Sequence, residues 1–184
     1  MYEDEDTWVC LSHEPLSVSE AFEFVRSNAS GAVASFIGTT RDNFDGKKVT
    51  SLEYEAYAEM ATEEMTNIIA QMRQKWALNR VYMTHKLGPC PVGDVSIIIF
   101  VSSAHRGDAL QASEYAINTL KATVPIWKKV SCHCILFSKN SPPSVAFNNN
   151  LHNLTKICIL YNRFLTGVLR RWIRCGMESK RDSA

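Results

Sequence analysis

The first 130 residues hold only two cysteines, Cys10 and Cys90, and the other four of the chain's six come later. So sparse a set builds no disulfide framework, and free thiols are expected. Cys132-His133-Cys134 lacks a second ligand pair at zinc-finger spacing, with His152, Cys158 and Cys175 scattered beyond it, so no metal and no cofactor is expected. The acidic opening from Met1 to Asp6 leads into no apolar signal core and has no Arg-rich transit character. A cytosolic location is the expectation. The formal net charge of +1 over 184 residues shows no general basic excess, so neither nucleic acid nor a membrane is an expected partner.

What is present is the composition of one globular domain, 46% hydrophobic and 21% charged, followed by a tail. Ser17-Val18-Ser19-Glu20 has capping-box spacing, and Val18, Ala21, Phe22 and Val25 recur at helical intervals until Gly31. This predicts a first helix of about three turns. Ala32 to Ile37 reads as a buried strand, Arg41 to Lys48 as a turn-bearing loop, and Val49 to Tyr57 as a strand with one wet face. Ala61, Met65, Ile68, Ile69, Met72 and Trp76 form one stripe of a second helix. Val81 to Leu87 alternates as a strand, with His85 on its apolar face as a hydrogen-bonded structural histidine. Ser96 to Val101 is a fully apolar strand. A third helix runs from about Asp108 to Lys121 with Ala109, Ala112, Ala116, Ile117 and Leu120 inward, and Pro125 prevents its continuation. The order supports an α+β sandwich.

Residues 1–130 carry 12 Lys and Arg against 17 Asp and Glu, a net of −5. Basic groups clustered there are therefore local choices, and they bracket the third helix. His105 and Arg106 stand at its start, where unpaired N–H groups and the positive end of the dipole favour an anion and a guanidinium can grip phosphate. Lys121 and Lys128 flank Pro125 at its far end. Two ammonium groups in a partly desolvated pocket depress each other's pKa, which suits one of them to move protons. The plain alternatives are a surface arginine at a helix start and two solvated lysines near a helix C-terminus.

Ser102-Ser103-Ala104-His105-Arg106, then Leu120-Lys121, then Pro125-Ile126-Trp127-Lys128-Lys129, with Gly38-Thr39-Thr40-Arg41-Asp42-Asn43 upstream, closely resembles the large, catalytic subunits of molybdopterin synthases. The resemblance is collinear from about Leu16 to Lys129. It implies an α/β hammerhead-type fold with a small additional antiparallel β subdomain. It also implies a sulfurtransferase of molybdenum cofactor biosynthesis. Cyclic pyranopterin monophosphate would become molybdopterin, with sulfur delivered as a thiocarboxylate on a small ubiquitin-like subunit, in a heterotetramer built on a central homodimer. Lys121 and Lys128 match the family's catalytic and substrate-binding lysines, Lys129 a neighbouring binding position, and Arg41, His105 and Arg106 the phosphate grip. The third helix would span roughly 20 Å at 1.5 Å per residue, too far for one pterin to touch both ends. Either the chain folds back after Pro125, or one subunit's His105 and Arg106 face another's Lys121 and Lys128; the central dimer favours the second arrangement.

Residues 131–184 follow other statistics, with 8 Lys and Arg against 2 Asp and Glu. The expected division is therefore a synthase domain over 1–130 and a divergent, non-native or disordered tail over 131–184. In the family the chain would continue after Trp-Lys-Lys with an acidic residue and a short Trp-containing segment, which Val130 onward lacks. Ile157, Leu160, Tyr161, Phe164, Leu165, Val168 and Trp172 have helical spacing with arginines nearby, which also fits a basic amphipathic helix. An alternative or misassigned transcript end explains the break more simply, since composition and resemblance fail at one point. Truncation after Lys129 is expected to leave a folded dimer, because no strand is read in the tail. The competing function is a non-catalytic module for an acidic partner or phosphorylated ligand, inactive through the altered tail.

Overall fold

A computed structural model describes residues 1–44 and 46–132, and residues 157–159 as backbone. In chain order the elements are β1 (Tyr2–Glu3), β2 (Thr7–Ser12), α1 (Val18–Val25), β3 (Ala32–Thr39), β4 (Asn43–Phe44), β5 (Lys47–Ala56), α2 (Ala58–Lys75), β6 (Leu78–Lys86), β7 (Gly88–Pro91), β8 (Val95–Ser103), α3 (Arg106–Thr123), β9 (Ile126–Cys132) and β10 (Ile157–Ile159). The larger sheet has the order β1-β2-β6-β8-β3, with β2 and β6 parallel and the other neighbours antiparallel. A second, antiparallel sheet has the order β10-β9-β5-β4, and β7 also pairs with β5. This is a mixed α+β fold with an additional antiparallel sheet.

Strand alternation explains how one sheet serves two cores. Met83, Ile97, Ile99 and Val101 face one way and pack with Ala61, Met65, Ile68, Ile69 and Met72 of α2 and Ala112, Ala116, Ile117 and Leu120 of α3. Tyr82, Ile98 and Phe100 face the other way, onto Ala21 and Val25 of α1. The apolar run in β8 is thus a strand covered on both faces. The helical stripes read from the sequence are the buried ones in α2 and α3, although Trp76 caps α2 and is only partly buried. Ser17 caps α1 and accepts from the Glu20 N–H at 3.2 Å.

Several expectations change. Helix α1 has 8 residues, about two turns, because Arg26 already adopts an extended conformation. Strand β3 is not buried throughout: it lies at the sheet edge, and Val33 and Ile37 are exposed. Asn43 and Phe44 form β4 within the expected loop, and β7 was not anticipated. Most consequential is β9, which begins directly after Pro125 and runs two residues past the compositional boundary at 130. In addition, Ile157–Ile159 pairs as β10 with Lys129–Ser131, so the periodic stretch opens as strand. His133-Cys134, Ser141-Pro142-Pro143, Asn148-Asn149-Asn150 and the run from Leu160 to Trp172 lie outside the described residues.

Val130 is 1% exposed and packs with Val49 against Phe44 and Leu52. Cutting after Lys129 removes that side chain and the last pairings of β9 with β5. The fold should then lose about 2 kcal/mol or more, the worth of one buried valine with its ladder bonds. A chain cut after Cys132 should lose less, and thermal melting of the two truncations against the full chain checks the order.

Candidate active site

Helix α3 ends because Pro125 has no N–H to continue it and forces Val124 into an extended conformation. The Val124 N–H still reaches the Leu120 carbonyl at 3.1 Å, and β9 starts immediately afterwards. Strand β9 then runs antiparallel to β5, with Lys128 opposite Tyr54 and Val130 opposite Leu52. This turn folds the chain back over the end of α3. Between the two sheets it leaves a cavity of about 520 Å³.

Three cations line the cavity: Arg41 from the loop after β3, Lys121 from the last turn of α3, and Lys128 from β9. Among the described residues, no aspartate or glutamate lines it. Thr40 anchors the Arg41 loop. It is 2% exposed, its N–H donates to the Asp94 carbonyl at 3.0 Å, and its hydroxyl donates to Cys90 Sγ at 3.2 Å. The Lys121 ammonium lies 5.7 Å from the Phe36 ring centroid and that of Lys128 lies 5.8 Å from the Phe44 centroid, so each faces an aromatic quadrupole. Burial lowers the Lys128 pKa, and the neighbouring charges of Arg41 and Lys121 lower it further. The carboxylate-free ring of cations therefore favours an anion and frees one ammonium to give up its proton more readily.

Of the six residues singled out by sequence, the fold brings together Arg41, Lys121 and Lys128. Lys129 goes elsewhere. Ile126, Lys128 and Val130 line the cavity, so strand alternation turns Lys129 to the opposite face, where it pairs with Glu55 and that contact raises its pKa. Within one chain His105 and Arg106 are also apart from the cavity. They sit exposed at the start of α3, roughly 22 Å from Lys121 along the helix axis at 1.5 Å per residue. The His105 side chain makes no capping bond.

Tyr54, His85 and Ser96 also share the cavity wall with these cations, a grouping that no spacing along the chain signals. Ser96 donates to the Gly38 carbonyl at 3.1 Å. Gly38 admits no side chain there, since a Cβ would meet Ile97 Cγ2 at 2.6 Å. His85 is buried as expected, with Nδ1 2.8 Å from the Lys86 carbonyl oxygen. Of the cysteines, Cys90 is buried and Cys10 is partly buried with its thiol pKa raised by burial. Neither lines the cavity.

Burial pushes the His85 pKa down from the ordinary 6.5 to about 4. As pH falls below 6.5 the unfolded chain takes up this proton first, so stability present above 6.5 is lost progressively down to about 4 and no further below it. The loss should be on the order of 3 kcal/mol. Urea unfolding across that window checks it: His85→Gln should lack this component of the slope.

A model of the MoaE protein family matches residues 11–123. The human molybdopterin synthase catalytic subunit is 56% identical over 116 residues, covering 63% of this chain and 62% of the human protein. That of Taeniopygia guttata is 53% identical over 133 residues, covering 70% of this chain and 86% of that protein. The chain thus spans less than two thirds of the human relative's length. The crystal structure of molybdopterin synthase from Staphylococcus aureus superposes with a TM-score of 0.64 at 35% identity, covering 72% of this chain and 94% of that one.

Proposed function

The chain belongs to the MoaE protein family, and on that premise we propose that it is the catalytic, sulfur-transferring subunit of a molybdopterin synthase. The substrate is cyclic pyranopterin monophosphate, and the sulfur donor is the thiocarboxylated C-terminus of a small ubiquitin-like subunit. The observation that carries this reading is the cavity whose charged lining groups, among the described residues, are Arg41, Lys121 and Lys128. Both reactants are anions, and the chemistry passes through oxyanionic intermediates. Fixed cations in a partly desolvated site stabilise that charge more strongly than water does.

Placement supports a role for each group. Arg41 is suited to the substrate phosphate, because a guanidinium binds phosphate oxygens in a fork. Lys121 neutralises the entering thiocarboxylate, and Lys128, with its lowered pKa, moves protons as charge develops. His105 and Arg106 contribute to the phosphate grip of a second copy, which makes the working unit a dimer carrying two small subunits. The relatives' name, catalytic subunit, implies a further subunit in those proteins. Among the described residues no helix is long and apolar enough to cross a membrane, and a cytosolic location fits this biosynthetic role.

Incubating the purified full chain with the pterin and thiocarboxylated small subunit, then following dithiolene formation, tests the proposal. Turnover is the expected result. Binding of both reactants without sulfur transfer would instead favour a non-catalytic module.

A further inference from the structure

His85 is 6% exposed, yet it lines the cavity. Its Nδ1 lies 2.8 Å from the Lys86 carbonyl oxygen, which can only accept a hydrogen bond, so Nδ1 carries the ring proton. In the neutral imidazole that leaves Nε2 as a lone-pair acceptor. No donor meets Nε2 among the described residues, and it is not one of the side-chain atoms both sealed and unpartnered. The ring of Tyr54, edge-to-face at 4.8 Å and 76°, holds the imidazole plane in place. Leu52 and Ile97 supply apolar wall on the same cavity.

We propose that His85 Nε2 is a fixed acceptor in the cavity wall for a ring N–H of the pterin, and so a substrate-binding residue distinct from the cationic grip. This rests on the pterin reading above. The division of labour is chemical: a neutral lone pair repels phosphate or thiocarboxylate oxygens, but it complements the N–H donors of a reduced heterocycle. Because Nε2 opens on the cavity, a ligand donor can reach it, and the apolar wall around it strengthens the hydrogen bond so formed. Burial keeps the imidazole neutral near pH 7, with its pKa down to about 4, so the acceptor stays available throughout the working range. The site then discriminates between a pterin and a smaller phosphate ester by its uncharged end.

The test compares wild type, His85→Asn and His85→Gln in the full chain, by calorimetric titration with cyclic pyranopterin monophosphate and separately with inorganic phosphate. Asparagine can still donate to the Lys86 carbonyl but offers nothing at the Nε2 position, whereas glutamine carries an acceptor to that depth. Pterin affinity should fall roughly tenfold in His85→Asn, in proportion to one lost hydrogen bond, and recover substantially in His85→Gln. Phosphate affinity should be unchanged in both. Unchanged pterin affinity in a folded His85→Asn, or equal losses for pterin and phosphate, would overturn the assignment. If that variant does not fold, nitrogen NMR of the wild-type imidazole decides: the unprotonated ring nitrogen should shift on adding pterin, and an unmoved resonance at saturation would refute the contact. A wild-type chain that binds no pterin would sink the functional reading and this inference with it, an outcome separate from selective failure of His85.

Discussion

Lys128→Ala should lower the rate of dithiolene formation by roughly 100- to 1,000-fold, the range seen when one preorganised charge stabiliser is removed from a reacting centre. Melting temperature should change little, because Lys128 is only partly buried and its neighbours across the strand pair remain. The Lys128 pKa is lowered by burial first and then by Arg41 and Lys121. If the lysine acts as the base, the wild-type rate should rise with pH through a value below the ordinary lysine range. Arg41→Ala removes one of the repelling charges, so in that variant the same limb should move to higher pH. Lys128→Arg should not restore the rate, since a guanidinium stays protonated and cannot pass a proton on. Rates measured for the four proteins across pH separate a catalytic amine from a simple counter-charge. Equal activity in Lys128→Arg would leave only the counter-charge.

Co-expressing Arg106→Ala and Lys121→Ala chains should restore activity that each variant lacks alone. The His105–Arg106 end of α3 lies far along the helix axis from the cavity of its own chain. If it completes a second copy's cavity, a mixed dimer holds one site with both defects and one with neither. Purified through two different tags, such dimers should show about half the wild-type rate per dimer, while either homodimer stays near background. No recovery in a well-formed mixed dimer would return Arg106 and Lys121 to the same site, and a fully active Arg106→Ala homodimer would remove Arg106 from the chemistry.

The parts of this arrangement that the sequence discloses are those with a local period. The stripe from Ala61 to Met72 and the inward row of α3 are legible because 3.6-residue spacing has one interpretation over several turns. The apolar run from Ala32 to Ile37 has no such signature, and it proved to be an edge strand with Val33 and Ile37 exposed. Strand β9 lacks a strand signature for a physical reason: its inward row is Ile126, Lys128, Val130, so the cation that serves the site breaks the apolar alternation that marks a strand. Lys129 is grouped with Lys128 by the family resemblance, whereas neighbours on a strand face opposite ways. Arg41, Lys121 and Lys128 meet only through tertiary folding, from a loop, a helix end and a strand, and no spacing along the chain records that. His85 was legible as a buried histidine, but its place on the cavity wall depends on β5 and β6 from different sheets.

The most direct test of the central claim is single-turnover sulfur transfer by the purified full chain, supplied with cyclic pyranopterin monophosphate and a thiocarboxylated small subunit. Dithiolene should form, and its formation should be lost in Lys121→Ala and Lys128→Ala with both reactants still able to bind. A folded wild-type chain that binds both reactants and forms no dithiolene would show that the chain is not a sulfurtransferase, and alanine variants that form it at the wild-type rate would remove both lysines from the chemistry.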